Sequence, residues 1–263
     1  MIGFDFPIKP QWIHDVHALW QPAQPVSELV EAVLAYTMRE LGGEKTRRNS
    51  LTVILRYFVA TEGRGQSRRT TEQSVWVAYS HAYPASTMAP AYLAHLIAQN
   101  EVAQEASRFM VRRYSLGDIL TSGELRRHVV SQFGERKVVL NAVSAFLRTL
   151  QHFGVLSPGE RLGDYCYVAQ LAAPREVFPL VVWAWWQRHL SPQIDLESFE
   201  EDTALAFLNT GSFGSHWKTY QHSLWVLEER LQTQRATLKH GEVDAFRRAL
   251  VAALGDIGAG DWE

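Results

Sequence analysis

Lys137, Asn141, Ser144 and Arg148 follow one another at intervals of four, three and four residues, and on an α-helix that spacing puts all four on one face. Their types suit recognition chemistry. Lys and Arg donate to guanine edges and phosphate oxygens, Asn pairs with the edge of adenine, and Ser bonds to either. A helix lying in the major groove of duplex DNA needs such a face. Every surface helix also has a polar face, so the spacing alone does not separate a reading helix from a solvated one. Arg136 stands directly before this stripe, and Gln151 and His152 extend it.

The neighbouring segments give the stripe its context. Residues 135 to 153 read as one long helix, because Val139, Val143, Phe146, Leu150 and Phe153 keep the spacing of a buried stripe on the other side. Ser122 to Phe133 reads as a shorter amphipathic helix with Leu125, Val129 and Phe133 inward and Arg126 and Arg127 outward, and Gly134 makes the turn between the two. Beyond the long helix, Gly154-Val-Leu156 and Tyr165 to Ala169 read as two short strands joined by a Pro- and Gly-bearing turn. Short helix, turn, long helix and hairpin is the order of a winged helix-turn-helix, in which the second helix enters the groove. Arg161 then sits at the hairpin tip, where a backbone phosphate would lie. Further phosphate partners are expected in Arg47 and Arg48, on a helix over about residues 46 to 60, and in Arg64, Arg68 and Arg69, within a polar, glycine-bearing stretch read as a mobile loop.

Charge distribution points the same way. The net charge is −2 over 263 residues, but residues 39 to 150 hold 16 Lys or Arg against 9 Asp or Glu, a net +7. Residues 1 to 38 carry −3 and residues 151 to 263 carry −6. A basic segment inside a near-neutral chain is the footprint of a phosphate-binding surface, or of a solvated face.

The chain is long enough for two or three compact units. A mainly α fold is expected in three parts: a helical N-terminal unit over 1–114, the winged helix-turn-helix over 115–170, and a helical, Trp-rich C-terminal unit over 171–263. After an irregular start, helices are expected from about residue 25 to Leu41, then near 46–60, 72–83, 90–114, 200–208, 215–238 and 243–254, with a turn at Pro84 to Ala89. The most apolar run, Val177 to Trp186, is half the roughly 20 residues of a membrane-spanning helix, so it reads as a core helix. The start of the chain has an acid where a secretory signal carries basic residues, and the single cysteine, Cys166, excludes an internal disulfide. A cytoplasmic protein without a membrane partner is expected.

Enzyme signatures are weak. His14 and His17, and His216 and His222, lack the i, i+4 spacing with a Glu that a zinc hydrolase helix uses. Gly63-Arg-Gly65 lacks the preceding strand and third glycine of a dinucleotide loop. Glu135-Arg-Lys137 has no partner carboxylate of the kind a metal-dependent nuclease needs, and the acidic run Glu200-Glu-Asp202 fits a helix start. No catalytic residue, cofactor or metal is implied. Trp183, Trp185, Trp186, Trp217 and Trp225 read as core packing, with room for two of them to stay exposed as a partner site.

Three stretches resemble a known family. Lys45 to Phe58, Phe109 to Leu120, and Ala142 to Leu156 (AVSAFLRTLQHFGVL) are similar to the BrxA family of the BREX phage-defence systems, as is the order of elements over about residues 25 to 240. The resemblance implies a non-catalytic, helical, winged-helix protein that binds double-stranded DNA and works with other defence-system proteins, including a methyltransferase and an ATPase. The longer N-terminus, the Arg-rich stretch at 62 to 71 and the Trp-rich helix depart from that pattern. The alternative is a scaffold subunit that uses the same fold to hold a multi-protein assembly together. The sequence leaves the oligomeric state open.

Overall fold

The computed structural model describes residues 4–71, 74–230 and 233–257; residues 1–3, 72–73, 231–232 and 258–263 lie outside the description. The chain is mainly α-helical, with four small sheets among the described residues.

The irregular start expected holds over Phe4 to Lys9 but is then interrupted by helix α1 (Pro10–Ala18), whose Pro sits in the first turn where the missing N–H costs nothing. Helices α2 (Val26–Tyr36) and α3 (Glu44–Phe58) follow. The Arg-rich stretch after α3 is not a loose loop. Strands β1 (Thr61–Glu62) and β2 (Arg69–Thr70) pair antiparallel around a 3-10 turn at Gly65–Ser67, and the buried Thr70 hydroxyl donates to the Gln21 carbonyl at 2.6 Å.

Helices α4 (Val75–Ala82) and α5 (Ala85–Ala98) come next. The Pro84 to Ala89 segment read as a turn is the first part of α5, with Pro84 at its N-cap and Pro90 inside the helix. Almost every residue of α5 is buried, as expected of a helix apolar on all sides. It is the spine of the molecule, packing on α1, α4, the later helix over Phe178–His189 and the next helix, α6 (Glu101–Arg113). The single helix expected over 90 to 114 is thus two, divided at Asn100, whose side chain caps α6 by accepting from the Ala103 N–H at 3.0 Å.

Strand β3 (Ile119–Thr121) leads into α7 (Ser122–Phe133), α8 (Lys137–His152), β4 (Leu156–Pro158) and β5 (Asp164–Tyr167). Helix α7 has the bounds expected, whereas α8 begins at Lys137 and not at Glu135, and the hairpin is shifted: β4 shares only Leu156 with the strand read at 154–156 and runs on into the expected turn, and β5 starts at Asp164 and ends at Tyr167. Strand β3 has no counterpart in that reading; it joins the hairpin in an antiparallel sheet of order β3-β5-β4.

In the last third of the chain, β6 (Leu171–Ala172) pairs parallel with β8 (Leu208–Asn209). The Trp-rich segment is α9 (Phe178–His189), with Trp183, Trp185 and Trp186 buried. Trp217 and Trp225 are buried as well, so all five tryptophans go to packing and none is left as an exposed partner site. Strand β7 (Gln193–Asp195) and the five-residue α10 (Leu196–Glu200) lead to a 3-10 turn at Thr203–Leu205, where a helix over 200–208 was expected. The helix expected over 215–238 is also replaced. Helix α11 (Phe213–Thr219) is followed by strands β9 (Trp225–Arg230) and β10 (Thr233–Leu238), which form a sheet of order β7-β10-β9. The C-terminal third is therefore mixed, where an all-helical unit was expected. Helix α12 (Val243–Ile257) returns to pack on α4 and α9.

Buried residues from Phe4 to Ala253 form one hydrophobic cluster. Among the described residues, no helix is long and apolar enough to cross a membrane.

Candidate nucleic-acid interface

Three helices hold the predicted stripe. Helix α7 is started by Thr121, whose hydroxyl accepts the Glu124 N–H at 3.1 Å. Glu124 in turn accepts the Tyr114 hydroxyl at 2.7 Å, which is the main reason its carboxyl is held below the usual range. The helix ends at Gly134, where φ is +79°, a value that costs glycine little and other residues more. Helix α8 then packs on both α6 and α7. Its buried side is Val139, Val143, Phe146 and Leu150, the stripe expected from the sequence.

Helix α8 is braced from the N-terminal segment. The Ile8 N–H donates to Thr149 Oγ1 at 3.1 Å, the Phe4 ring lies 6.4 Å from Phe146, and Trp12 lies 5.7 Å from His152. Packing on two sides of α8 therefore fixes its axis and leaves the third side to solvent.

That third side carries Lys137, Asn141 and Arg148, all exposed and none with a side-chain hydrogen bond or ion pair to another described residue. Ser144 behaves differently. It is half-buried, donates to the Leu140 carbonyl at 3.0 Å and accepts Arg126 Nη2 at 2.9 Å. The exposed Arg126, on α7, thereby joins the α8 face. Arg136, the uncapped N-cap residue of α8, is exposed and donates to the Phe133 carbonyl at 3.0 Å, closing the turn between the helices. Residues 122 to 152 hold 5 Lys or Arg against 2 Asp or Glu, so the α7–α8 segment carries net positive charge.

Arg161 is exposed at the tip of the β4–β5 hairpin. The tip is tied to α7, because the Ser122 N–H donates to the Gly163 carbonyl at 2.7 Å. Hydrogen bonds thus link the hairpin tip to α7 and α7 to the stripe.

The remaining predicted cations lie elsewhere and are mostly engaged. Arg47 is half-buried and donates to the Leu34 carbonyl, tying α3 to the end of α2. Arg48 pairs with Glu44 at 2.8 Å and with Glu31 at 3.2 Å. Arg68 donates to Thr61 Oγ1 across the β1–β2 hairpin, and Arg69 donates to the Ala23 carbonyl. Arg64 is exposed, and its side chain has no partner among the described residues. No hydrogen bond or ion pair joins these residues to the α8 face.

Sequence reasoning missed two parts of this surface. Arg126 was visible as part of the outer side of α7, but only the packing of α7 on α8 brings it to the stripe. Helix α6 and strand β3 complete the framework, and a Thr-x-x-Glu capping signal at Thr121 to Glu124 marks where β3 gives way to α7. Among the described residues, no three His, Cys, Asp or Glu side chains stand together as a metal site.

No family model, curated protein or solved structure matches this chain. The functional reading therefore rests on the fold and on its side chains.

Proposed function

We propose that α6, β3, α7, α8, β4 and β5 form a winged helix-turn-helix that binds double-stranded DNA without catalysing a reaction. Helix α8 is the reading helix and the β4–β5 hairpin is the wing. The observation that carries this reading is the α8 face: Lys137, Asn141 and Arg148 are exposed with donors spare, and Arg126 reaches across to Ser144 beside them. Cations already paired inside the protein would have to exchange one partner for another, whereas these offer their charge to phosphate directly. The order helix, strand, helix, helix, strand, strand supports the assignment.

The stretches similar to the BrxA family support a role in phage defence in the bacterial cytoplasm, alongside other defence proteins. A scaffold role is the second reading, and one observation favours it. Leu116, Ile119 and Val168 are exposed near one another, since Gly117 and Asp118 bond to Tyr167 and Ile119 lies opposite Cys166. An apolar patch of this kind suits a protein partner.

The two readings differ in their response to salt. A titration of the isolated protein against unrelated duplexes at several salt concentrations decides between them. If about 4 phosphates are neutralised, log K against log salt falls with a slope near −3.6. Absence of binding at low salt, or a flat response, overturns the DNA reading in favour of the scaffold.

A further inference from the structure

The tip of the β4–β5 hairpin presents Leu162, whose exposure of 108 % is the highest of any large apolar side chain among the described residues. The turn beneath it is closed. The Asp164 N–H donates to the Arg161 carbonyl at 3.0 Å, and the Gly159 N–H donates to the Asp164 carbonyl at 2.9 Å. Gly163 has φ +94°, and a Cβ there would stand 3.0 Å from Ser122 Oγ, so the position favours glycine on both counts. With Ser122 holding the Gly163 carbonyl, the leucine is set outward on a fixed base.

The tip is poorly suited to clamping phosphate, because Glu160 and Arg161 are both exposed and their charges cancel. What it offers is apolar bulk. Its position follows from α7: Ser122 and Arg126 are four residues apart on that helix, a rise of about 6 Å, and Arg126 touches Ser144 on α8. A duplex seated on α8 would bring its flanking minor groove to the hairpin.

Resting on the DNA reading above, we infer that Leu162 is an apolar wedge that enters the minor groove and partly unstacks one base step, kinking the duplex. Wedges of this kind bend DNA by roughly 20–90° toward the major groove. The bend costs least at TA and CA steps, which unstack easily, and most in stiff A-tracts. Leu162 therefore gives this protein a preference for deformable DNA that needs no hydrogen bond to a base edge.

The test uses the full chain and duplexes of about 30 base pairs with a donor and an acceptor dye at the two ends, one duplex with a central TA step and one with an A-tract. The parent protein raises energy transfer on binding, more for the TA duplex. Leu162→Ala melts like the parent and binds within about tenfold of it, equivalent to about 1.4 kcal/mol, but loses the rise in energy transfer; Leu162→Met, which keeps the bulk, retains it. Binding by the parent without a rise, or an equal rise with Leu162→Ala, overturns the wedge, leaves DNA binding intact and assigns the leucine to a protein partner. If the parent binds neither duplex at low salt, the DNA reading and the wedge fall together.

Discussion

Arg126 Nη2 on α7 donates to Ser144 Oγ on α8 at 2.9 Å. The serine hydroxyl also donates to the Leu140 carbonyl, so both its donor and an acceptor position are taken. At this point of the stripe the group that faces solvent with donors to spare is the Arg126 guanidinium, whereas the sequence pattern assigns that place to the serine.

Replacing Arg126 by Ala is therefore expected to weaken DNA binding by about 1–3 kcal/mol, as much as replacing Arg148. Ser144→Ala should change binding far less. Fluorescence anisotropy on the two single variants and the double variant measures the coupling between them. Parent-like binding by Arg126→Ala would take α7 out of the interface.

Lys137 and Arg148 are exposed on α8 and their side chains bond to no described residue, so their joint replacement by Ala should spare the fold. Binding is expected to fall by about 1–3 kcal/mol for each of the two side chains removed, with the melting temperature shifted little. If the double variant binds DNA as the parent does, α8 is not a reading helix.

Phe146 tests the opposite side of the same helix. It is buried between Phe4 and Phe207, with ring centroids at 6.4 Å and 6.2 Å. Phe146→Ala opens a cavity and is expected to cost about 3–5 kcal/mol of stability, read from urea unfolding. A cost below about 1 kcal/mol, the range of volume-conserving swaps, would contradict the packing described.

Arg47 and Arg68 should act on stability and not on salt response, because each donates to a neighbouring element. Their replacement by Ala is expected to cost about 0.5–1.5 kcal/mol apiece and to leave the slope of log K against log salt unchanged. A slope shallower by about 0.9 for either variant would return that arginine to the phosphate-binding surface.

Stability should fall with acid through two buried histidines. Burial lowers His17 from 6.5 to about 3 and His95 from 6.5 to about 4. In the unfolded chain both take a proton near 6.5, while in the folded chain they stay neutral down to those lower values. Between about pH 6.5 and 4 the unfolded state thus holds more protons, and stability declines as pH drops, by up to about 1.4 kcal/mol per pH unit for each group. Urea midpoints measured from pH 7 to 4 should show this, and His95→Gln should flatten the decline. An unchanged slope in that variant would mean that the His95 imidazole does not contribute.

What the sequence determined is what repeats over a few residues. The apolar stripe of α8, the amphipathic α7, the Gly134 turn, the strand pair beyond and the buried Trp-rich α9 all follow from periodicity and turn chemistry, which act between near neighbours. The same local logic misreads residues 225 to 238, rich in good helix formers such as Leu227, Glu228 and Glu229. There β10 pairs with β9 and with the distant β7, and this long-range pairing outweighs a propensity of a few tenths of a kcal/mol per residue. Side-chain partners are likewise a matter of tertiary structure. Arg48, Arg68 and Arg126 look alike as basic residues in the sequence, but Arg48 meets two glutamates, Arg68 is spent on Thr61, and Arg126 is carried to the face of α8. A residue type fixes which hydrogen bonds a side chain can form, and the packing of distant helices and strands decides which of those bonds stay within the protein and which remain for a ligand.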